Sequence, residues 1–251
     1  MLEFPPLLLT SSVTPMDLSG RLNDPALRIK YTLESVGEWL LREPELRIVI
    51  CDGSGFDFSS TIKSIFPNAN IECLSFMNDS MQIAKNGKGF GEGEIIRHAI
   101  KHSKLLQESE EFMKCTAKLW VANIQQCLNQ WNGHFLCNAY FANVFSLKKN
   151  KIKFLDTRFY IITKDIYIQY FLDAHSNSGY GPDRKNIEYV FLDVVTNHEM
   201  TAVLFSTPPI ICGVGGGSGK YYKQGLVRII KDKLRARIAR SCCEYKKLFC
   251  G

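Results

Sequence analysis

The sequence predicts an α/β fold, a mostly parallel central sheet flanked by helices. Short apolar runs at residues 7–13 (LLLTSSV), 47–51 (RIVIC) and 71–76 (IECLSF) recur with helical segments between them. Runs that are continuous rather than alternating belong to strands buried on both faces. Strand–helix–strand alternation then argues right-handed crossovers and a parallel sheet. Ligands of such sheets bind at the carboxyl ends of the strands. The groups expected there are Thr10, Ser11, Ser12, Asp52, a glycine-rich turn and Lys114.

Each element has its own signal. Asp24-Pro25 starts a helix, with Pro at the first helical position, and Leu27, Tyr31, Leu33, Val36, Trp39 and Leu40 continue it. The second strand runs directly into Asp52-Gly53-Ser54-Gly55. A carboxylate placed there suits hydrogen bonding to uracil or ribose. Residues 87–93 alternate Gly87, Gly89, Gly91 and Gly93 with Lys88, Phe90 and Glu92. Such spacing predicts a turn free to take positive φ and to approach a ligand, ahead of a helix over 94–106. The turn would aim its N–H groups at an anion. Equally, it is an ordinary turn with Glu92 and Glu94 on the helix dipole. Residues 112–121 read as one strand carrying Lys114 and Lys118.

A second half begins near Gln125. Asp156-Thr157-Arg158 interrupts an apolar run, and unpaired buried charge is costly. On a strand both charged side chains point the same way and can pair, either at a ligand or merely to fix a loop. Residues 175–184 read as a loop, 187–195 as a buried helix or strand carrying Glu188 and Asp193, and 201–206 as a strand. The expected organisation is one α/β domain over 1–219, with a nucleotide-binding half (1–124) and an acceptor half (125–219), then a basic amphipathic helix over 220–251.

Composition excludes several classes. Apolar content of 45% and charged content of 22% are those of a globular chain, and no apolar run reaches the ~18 residues of a membrane span. The opening Met-Leu-Glu-Phe-Pro-Pro lacks the basic region of a secretory signal. Nine cysteines include no Cys-x-x-Cys pair, so no zinc site is indicated. Cys51, Cys73, Cys115, Cys127 and Cys137 read as small core residues. The net charge of +6 is concentrated: residues 220–251 hold ten Lys or Arg against Asp232 and Glu244, a local +8, which leaves −2 for the rest.

Three motifs resemble known sites without matching them. Residues 214–221 (VGGGSGKY) depart from a P-loop at Val214 and Tyr221, though a donor-rich turn ahead of a helix could still meet phosphate. Residues 49–55 (VICDGSG) are similar to the glycine loop of S-adenosylmethionine-dependent methyltransferases, which keeps that activity as an alternative. His98 and His102 share a helix face, expected to be solvated, without a further ligand motif.

The segments LTSSVTP, IVICDGSG, IECLSF, GKGFGEGEIIRHAI, FMKCTAKLWVANI, LDTRFYI, IEYVFLDVV and GVGGGSGKYY, in this order, resemble bacterial glycosyltransferases of O-antigen and capsule gene clusters. The resemblance spans most of the chain from Leu7 to Tyr222 and implies a GT-A-like nucleotide-sugar domain. In such relatives the lysine strand reads Lys-x-Thr-Gly-Arg; here it is Lys114-Cys115-Thr116-Ala117-Lys118, which keeps the charge but loses the bidentate fork. The usual Asp-x-Asp metal motif is absent. The diphosphate leaving group must then be stabilised by fixed cations, and Lys88, Lys114, Lys118 and Arg158 are the available ones. Metal-independence is expected, with Mg or Mn dependence as the alternative. The resemblance places the catalytic base at Glu188 with Asp193 behind it, and Thr10, Ser11, Asp52, Glu92 and Asp156 among the donor-binding residues. It implies a UDP-type sugar donor and a lipid-diphosphate-linked saccharide acceptor, used at the inner face of the cytoplasmic membrane.

The tail suits that location. Leu226, Ile229, Ile230, Leu234 and Ile238 form a helical stripe beside Arg228, Lys231 and Arg235. A basic amphipathic helix of this kind lies in an anionic membrane interface. The competing reading packs the stripe on the protein's own core, and a non-catalytic membrane- or nucleic-acid-binding role is the remaining one; no groove-reading motif supports DNA.

Overall fold

A computed structural model of the chain describes residues 4–16, 20–146, 148–179, 185–217, 219–222 and 225–250. The elements are β1 (Leu7–Ser11), α1 (Pro25–Arg42), β2 (Ile48–Asp52), α2 (Ser59–Ile65), β3 (Ile71–Ser75), α3 (Ser80–Asn86), α4 (Lys88–His102), α5 (Lys104–Gln107), β4 (Glu111–Thr116), β5 (Leu119–Val121), α6 (Ile124–Leu128), β6 (Phe135–Ala142), β7 (Lys151–Thr163), α7 (Lys164–Ile166), α8 (Ile187–Asn197), β8 (Ile211–Val214), β9 (Tyr221–Tyr222) and α9 (Leu226–Ser241). The main sheet has six strands in the order β3-β2-β1-β4-β7-β6. Its first four strands are parallel, and β7 and β6 add antiparallel to β4 and to each other. The expected α/β fold, with a mostly parallel sheet between helices, is what the chain adopts.

The continuous apolar runs are explained by two cores, one on each sheet face. Leu8, Val49 and Cys51 point into one core, with Ile95, Ile96 and Ala99 of α4 and Val190 and Phe191 of α8. Leu7, Leu9, Ile48 and Ile50 point into the other, with Val36 and Trp39 of α1 and Ile62 of α2. Successive strand residues face opposite sides, so a strand covered on both sides must be apolar throughout. Helix α1 starts as expected: Asp24 accepts from the Ala26 N–H at 2.8 Å and the Leu27 N–H at 3.3 Å. The Ser35 hydroxyl and the Trp39 indole both donate to the Leu119 carbonyl, tying α1 to β5.

The structure corrects five expectations. The glycine-rich turn is confined to Gly87, and α4 already begins at Lys88. The later glycines serve close packing instead: a Cβ on Gly89 would stand 2.9 Å from the Ile187 Cβ, and one on Gly93 would overlap the His175 ring. The single lysine strand is two, because the chain turns at Ala117-Lys118 and β5 leaves for a second sheet of order β5-β8-β9. Residues 201–206 are not a strand; Ala202 has φ 54°, and only Leu204 bridges to Cys137 and Phe249. The glycines after Val214 form the β8–β9 hairpin loop rather than the approach to a helix. His98 is not simply solvated, its ring stacking on Phe76 at 4.2 Å.

Residues 187–195 lie in helix α8. Of the polar stretch expected to be a loop, residues 180–184 lie outside the described residues, while His175 is buried and its Nε2 meets Glu94 Oε1 at 2.5 Å. All nine cysteines are free.

Candidate nucleotide-binding cleft

The carboxyl ends of β1 and β4, the start of α4, the start of α8 and the β8–β9 loop enclose a cleft of about 660 Å³. That is the size of a small-molecule site. It lies where a parallel sheet offers its strand ends, and Thr10, Ser11 and Ser12 line it as expected.

Two buried cations define its chemistry. Arg28, in the first turn of α1, is 9% exposed, and Lys118, in the turn after β4, is 3% exposed. Arg28 is held by two backbone carbonyls: Nε donates to Ser12 at 2.5 Å and one terminal nitrogen donates to Leu22 at 2.7 Å. Neither side chain has an ion-pair partner among the described residues. Burial pushes the Lys118 ammonium down to about 7, and the neighbouring Arg28 guanidinium adds to the drop. Burial likewise lowers Arg28 from its ordinary value, with Asp52 acting the other way. Asp52 and Glu92 act the other way on Lys118, yet two like charges at one buried spot remain costly, and an anion joining them would lower that cost.

The backbone above them is glycine. A Cβ at Gly216 would come 3.4 Å from Lys118 Cε and 3.7 Å from an Arg28 terminal nitrogen, and one at Gly217 would come 3.1 Å from Lys88 Nζ. The loop therefore brings Lys88, at the N-terminus of α4, to the same group of cations. This N-terminus adds its own positive end to the cluster. Arg158 lines the same cleft. Burial works against its charge, but the bidentate contact of its Nε and terminal nitrogen with Asp156, at 2.8 and 2.5 Å, outweighs that and holds it firmly charged. Its guanidinium lies 5.3 Å from the centroid of Tyr222, another cleft residue.

Carboxylates line the cleft as well. Glu92 accepts from the Thr10 hydroxyl at 3.0 Å and from Lys114 Nζ at 2.5 Å. Glu188 lies in the first turn of α8, and burial raises its carboxyl above the usual range, with Glu92 adding to the rise and Lys88 opposing it. A carboxylate with raised affinity for protons, facing a cleft, is suited to general-base work.

Four predicted site residues take other roles. Asp52 is fully buried and does not line the cleft. Its carboxylate accepts the Val13 N–H at 2.9 Å, the Ser54 N–H at 2.8 Å, the Ser54 hydroxyl at 2.6 Å and the Phe56 N–H at 3.2 Å. With both oxygens engaged it fixes the loops after β1 and β2 instead of reading a nucleoside. Lys114 is 1% exposed and divided between Glu92 and the Thr157 carbonyl, so it is the counter-ion of Glu92 beneath the cleft and not a diphosphate contact. Asp156 is spent on Arg158 and acts through it. Asp193 pairs with Lys185 at 2.6 Å on the exposed side of α8 and does not stand behind Glu188, because five residues of helix turn it away.

Arg28 is a cleft residue that the sequence analysis does not name. It had a signal: a basic residue in a helix's first turn opposes the dipole, and α1 has no acid there. Thr116 at the end of β4, Thr157 on β7 and Tyr222 on β9 also line the cleft, brought there by the strand order and the β8–β9 hairpin. Among the described residues, no group of three His, Cys, Asp or Glu side chains is placed to hold a metal.

No family model matches the chain, and no curated protein matches it. Several solved structures resemble it distantly. HddC from Yersinia pseudotuberculosis is 14% identical, with 84% of this chain and 93% of that one covered and a TM-score of 0.42. A nucleotide-diphospho-sugar transferase-like protein from Desulfovibrio desulfuricans G20 is 12% identical over 81% of this chain and 80% of its own, at 0.47. The inositol-1-phosphate CTP transferase of T. maritima is 12% identical over 96% and 98%, at 0.49. At these identities and scores nothing about substrate or reaction passes from those proteins to this one.

Proposed function

We propose that this chain is a transferase that binds a nucleoside-diphosphate sugar in the cleft and passes the sugar to an acceptor hydroxyl. The observation that carries the reading is the pair Arg28 and Lys118, buried under a glycine hairpin at the strand ends with no ion-pair partner among the described residues. Such a site calls for a compact polyanion, and Lys88 and Arg158 add the charge that a diphosphate needs. The cluster of Arg28, Lys118 and Lys88 is less suited to the sulfonium of S-adenosylmethionine than to a diphosphate, which disfavours the methyltransferase alternative.

In the step proposed, Glu188 takes the proton of the acceptor hydroxyl while that oxygen attacks the anomeric carbon. The bond from the anomeric carbon to the diphosphate oxygen breaks, and its electron pair leaves with the nucleoside diphosphate. Arg28, Lys118 and Lys88 offset the charge that grows on that leaving group. The donor proposed is UDP-linked and the acceptor a lipid-diphosphate-linked saccharide.

Calorimetric titration with UDP in excess chelator, followed by a screen of nucleotide sugars for diphosphate release onto lipid-linked acceptors, tests the reading. Micromolar UDP binding that is lost in Arg28→Met, together with acceptor-dependent UDP release, is expected. Release of pyrophosphate from a nucleoside triphosphate and a sugar phosphate would instead make the protein a nucleotidyltransferase.

A further inference from the structure

Helix α9 shows two faces that differ in kind. On one side Ala236 and Ala239 are buried at 6% and 0% exposure, and Tyr245 and Phe249 beyond it join the same core. The helix is therefore seated on the body, as one of the two expectations had it. On the other side Val227 is 67% exposed, Ile230 56% and Leu234 44%. At 3.6 residues per turn these three fall within about 60° of one another and about 180° from the two alanines. This outward strip differs from the stripe expected from the sequence: Ile229 turns toward the body as a half-buried residue, and the Leu226 side chain lies outside what is described.

The charges are arranged around that strip. Lys231 stands on one edge, Arg237 and Lys233 on the other. The helix's one acid, Asp232, is turned inward and engaged by Arg235 at 2.8 Å and Arg228 at 4.0 Å. The outward face is thus aliphatic along its centre, cationic at both edges and free of carboxylates. A second copy of the chain would bring cations against cations there, which disfavours self-association. No helix among the described residues is long and apolar enough to cross a membrane; α9 has the composition of a helix that lies along one.

We propose that the outward face of α9 docks on an anionic lipid bilayer. Val227, Ile230 and Leu234 enter the headgroup region, while Lys231, Lys233 and Arg237 meet lipid phosphates. The helix is tethered close to the cleft, because α9 starts at Leu226, four residues after the cleft residue Tyr222. Docking would hold the cleft mouth beside the membrane, within reach of an acceptor anchored there. The surface itself does not depend on what the cleft binds, so the two readings can fail separately.

The test is co-sedimentation of the full chain with phosphatidylcholine vesicles, with and without phosphatidylglycerol, across a salt series. Binding only to the anionic vesicles, weakening as salt rises, is expected. Lys231→Gln, Lys233→Gln and Arg237→Gln combined should lower the partition coefficient roughly a hundredfold. Ile230→Asp with Leu234→Asp should abolish binding with the thermal transition unchanged, since both side chains point outward. Indifference to anionic vesicles at low salt, equal binding to neutral ones, or unchanged binding by the charge variant overturns the proposal. So does a wild-type dimer that Ile230→Asp makes monomeric, which would mark the strip as an interface between copies.

Discussion

Lys118→Met separates a ligand-binding lysine from a structural one, because the two roles move stability in opposite directions. The side chain is 3% exposed beside Arg28, and its ammonium is pushed down to about 7 from an ordinary 10.5. Between those values the unfolded chain holds a proton that the folded one has released. Stability therefore rises with pH across that window, and the full penalty is carried below about 7. At about 1.4 kcal/mol per pH unit the ceiling of that penalty is ~5 kcal/mol. Water entry from the cleft and local relaxation reduce it, so ~2 kcal/mol is a reasonable expectation at neutral pH. Methionine keeps the stem and removes the charge. The variant should melt about 4–8 °C higher than the parent, at 2–4 °C per kcal/mol for a chain of this size. It should also bind UDP roughly ten- to hundredfold more weakly, the worth of a lost charged hydrogen bond. The parent's UDP affinity should fall by up to tenfold per pH unit above 7, as Lys118 must regain its proton to meet the phosphate, and the variant should lack that slope. Differential scanning calorimetry and isothermal titration read both effects. A variant that melts lower and binds UDP as well as the parent would refute the reasoning and make Lys118 a structural residue.

Two further outcomes concern Glu188 and Asp52. Glu188→Gln should reduce turnover ~10²–10⁴-fold with donor affinity little changed, as expected for a positioned base. The acid limb of kcat/KM against pH should lie above that of an ordinary glutamate, activity falling as pH falls through the raised value, and should vanish in the variant. Asp52→Ala should cost about 3 kcal/mol, because the Val13, Ser54 and Phe56 N–H groups lose their acceptor in a buried place. Denaturant unfolding checks it, and a stable variant with selectively weakened UDP binding would return Asp52 to the nucleoside.

The strands that build the parallel part of the sheet were legible in the sequence for a local reason: burial on both faces writes itself as a continuous apolar run, as in Leu7–Ser11 and Ile48–Asp52. The start of α1 was legible because Asp24 and Pro25 act within one turn. The charge asymmetry of the chain and the cations of the cleft's rim were equally visible. The tertiary structure alone decided what those groups touch. Asp52 and Lys114 carry the same residue types as a binding site, yet the Val13 N–H, 39 residues away, claims the one oxygen of Asp52 that Ser54 and Phe56 leave open, and Glu92 claims Lys114. The alternating glycines proved to be helical because Ile187 and His175, remote in sequence, press against them. Arg28 and Lys118, 90 residues apart in the sequence, become one site only when α1 and the turn after β4 are brought under the β8–β9 loop. Residue type and local spacing are properties of the chain, whereas burial and the partner of a charge depend on contacts between distant segments, and those arise only when the chain is folded.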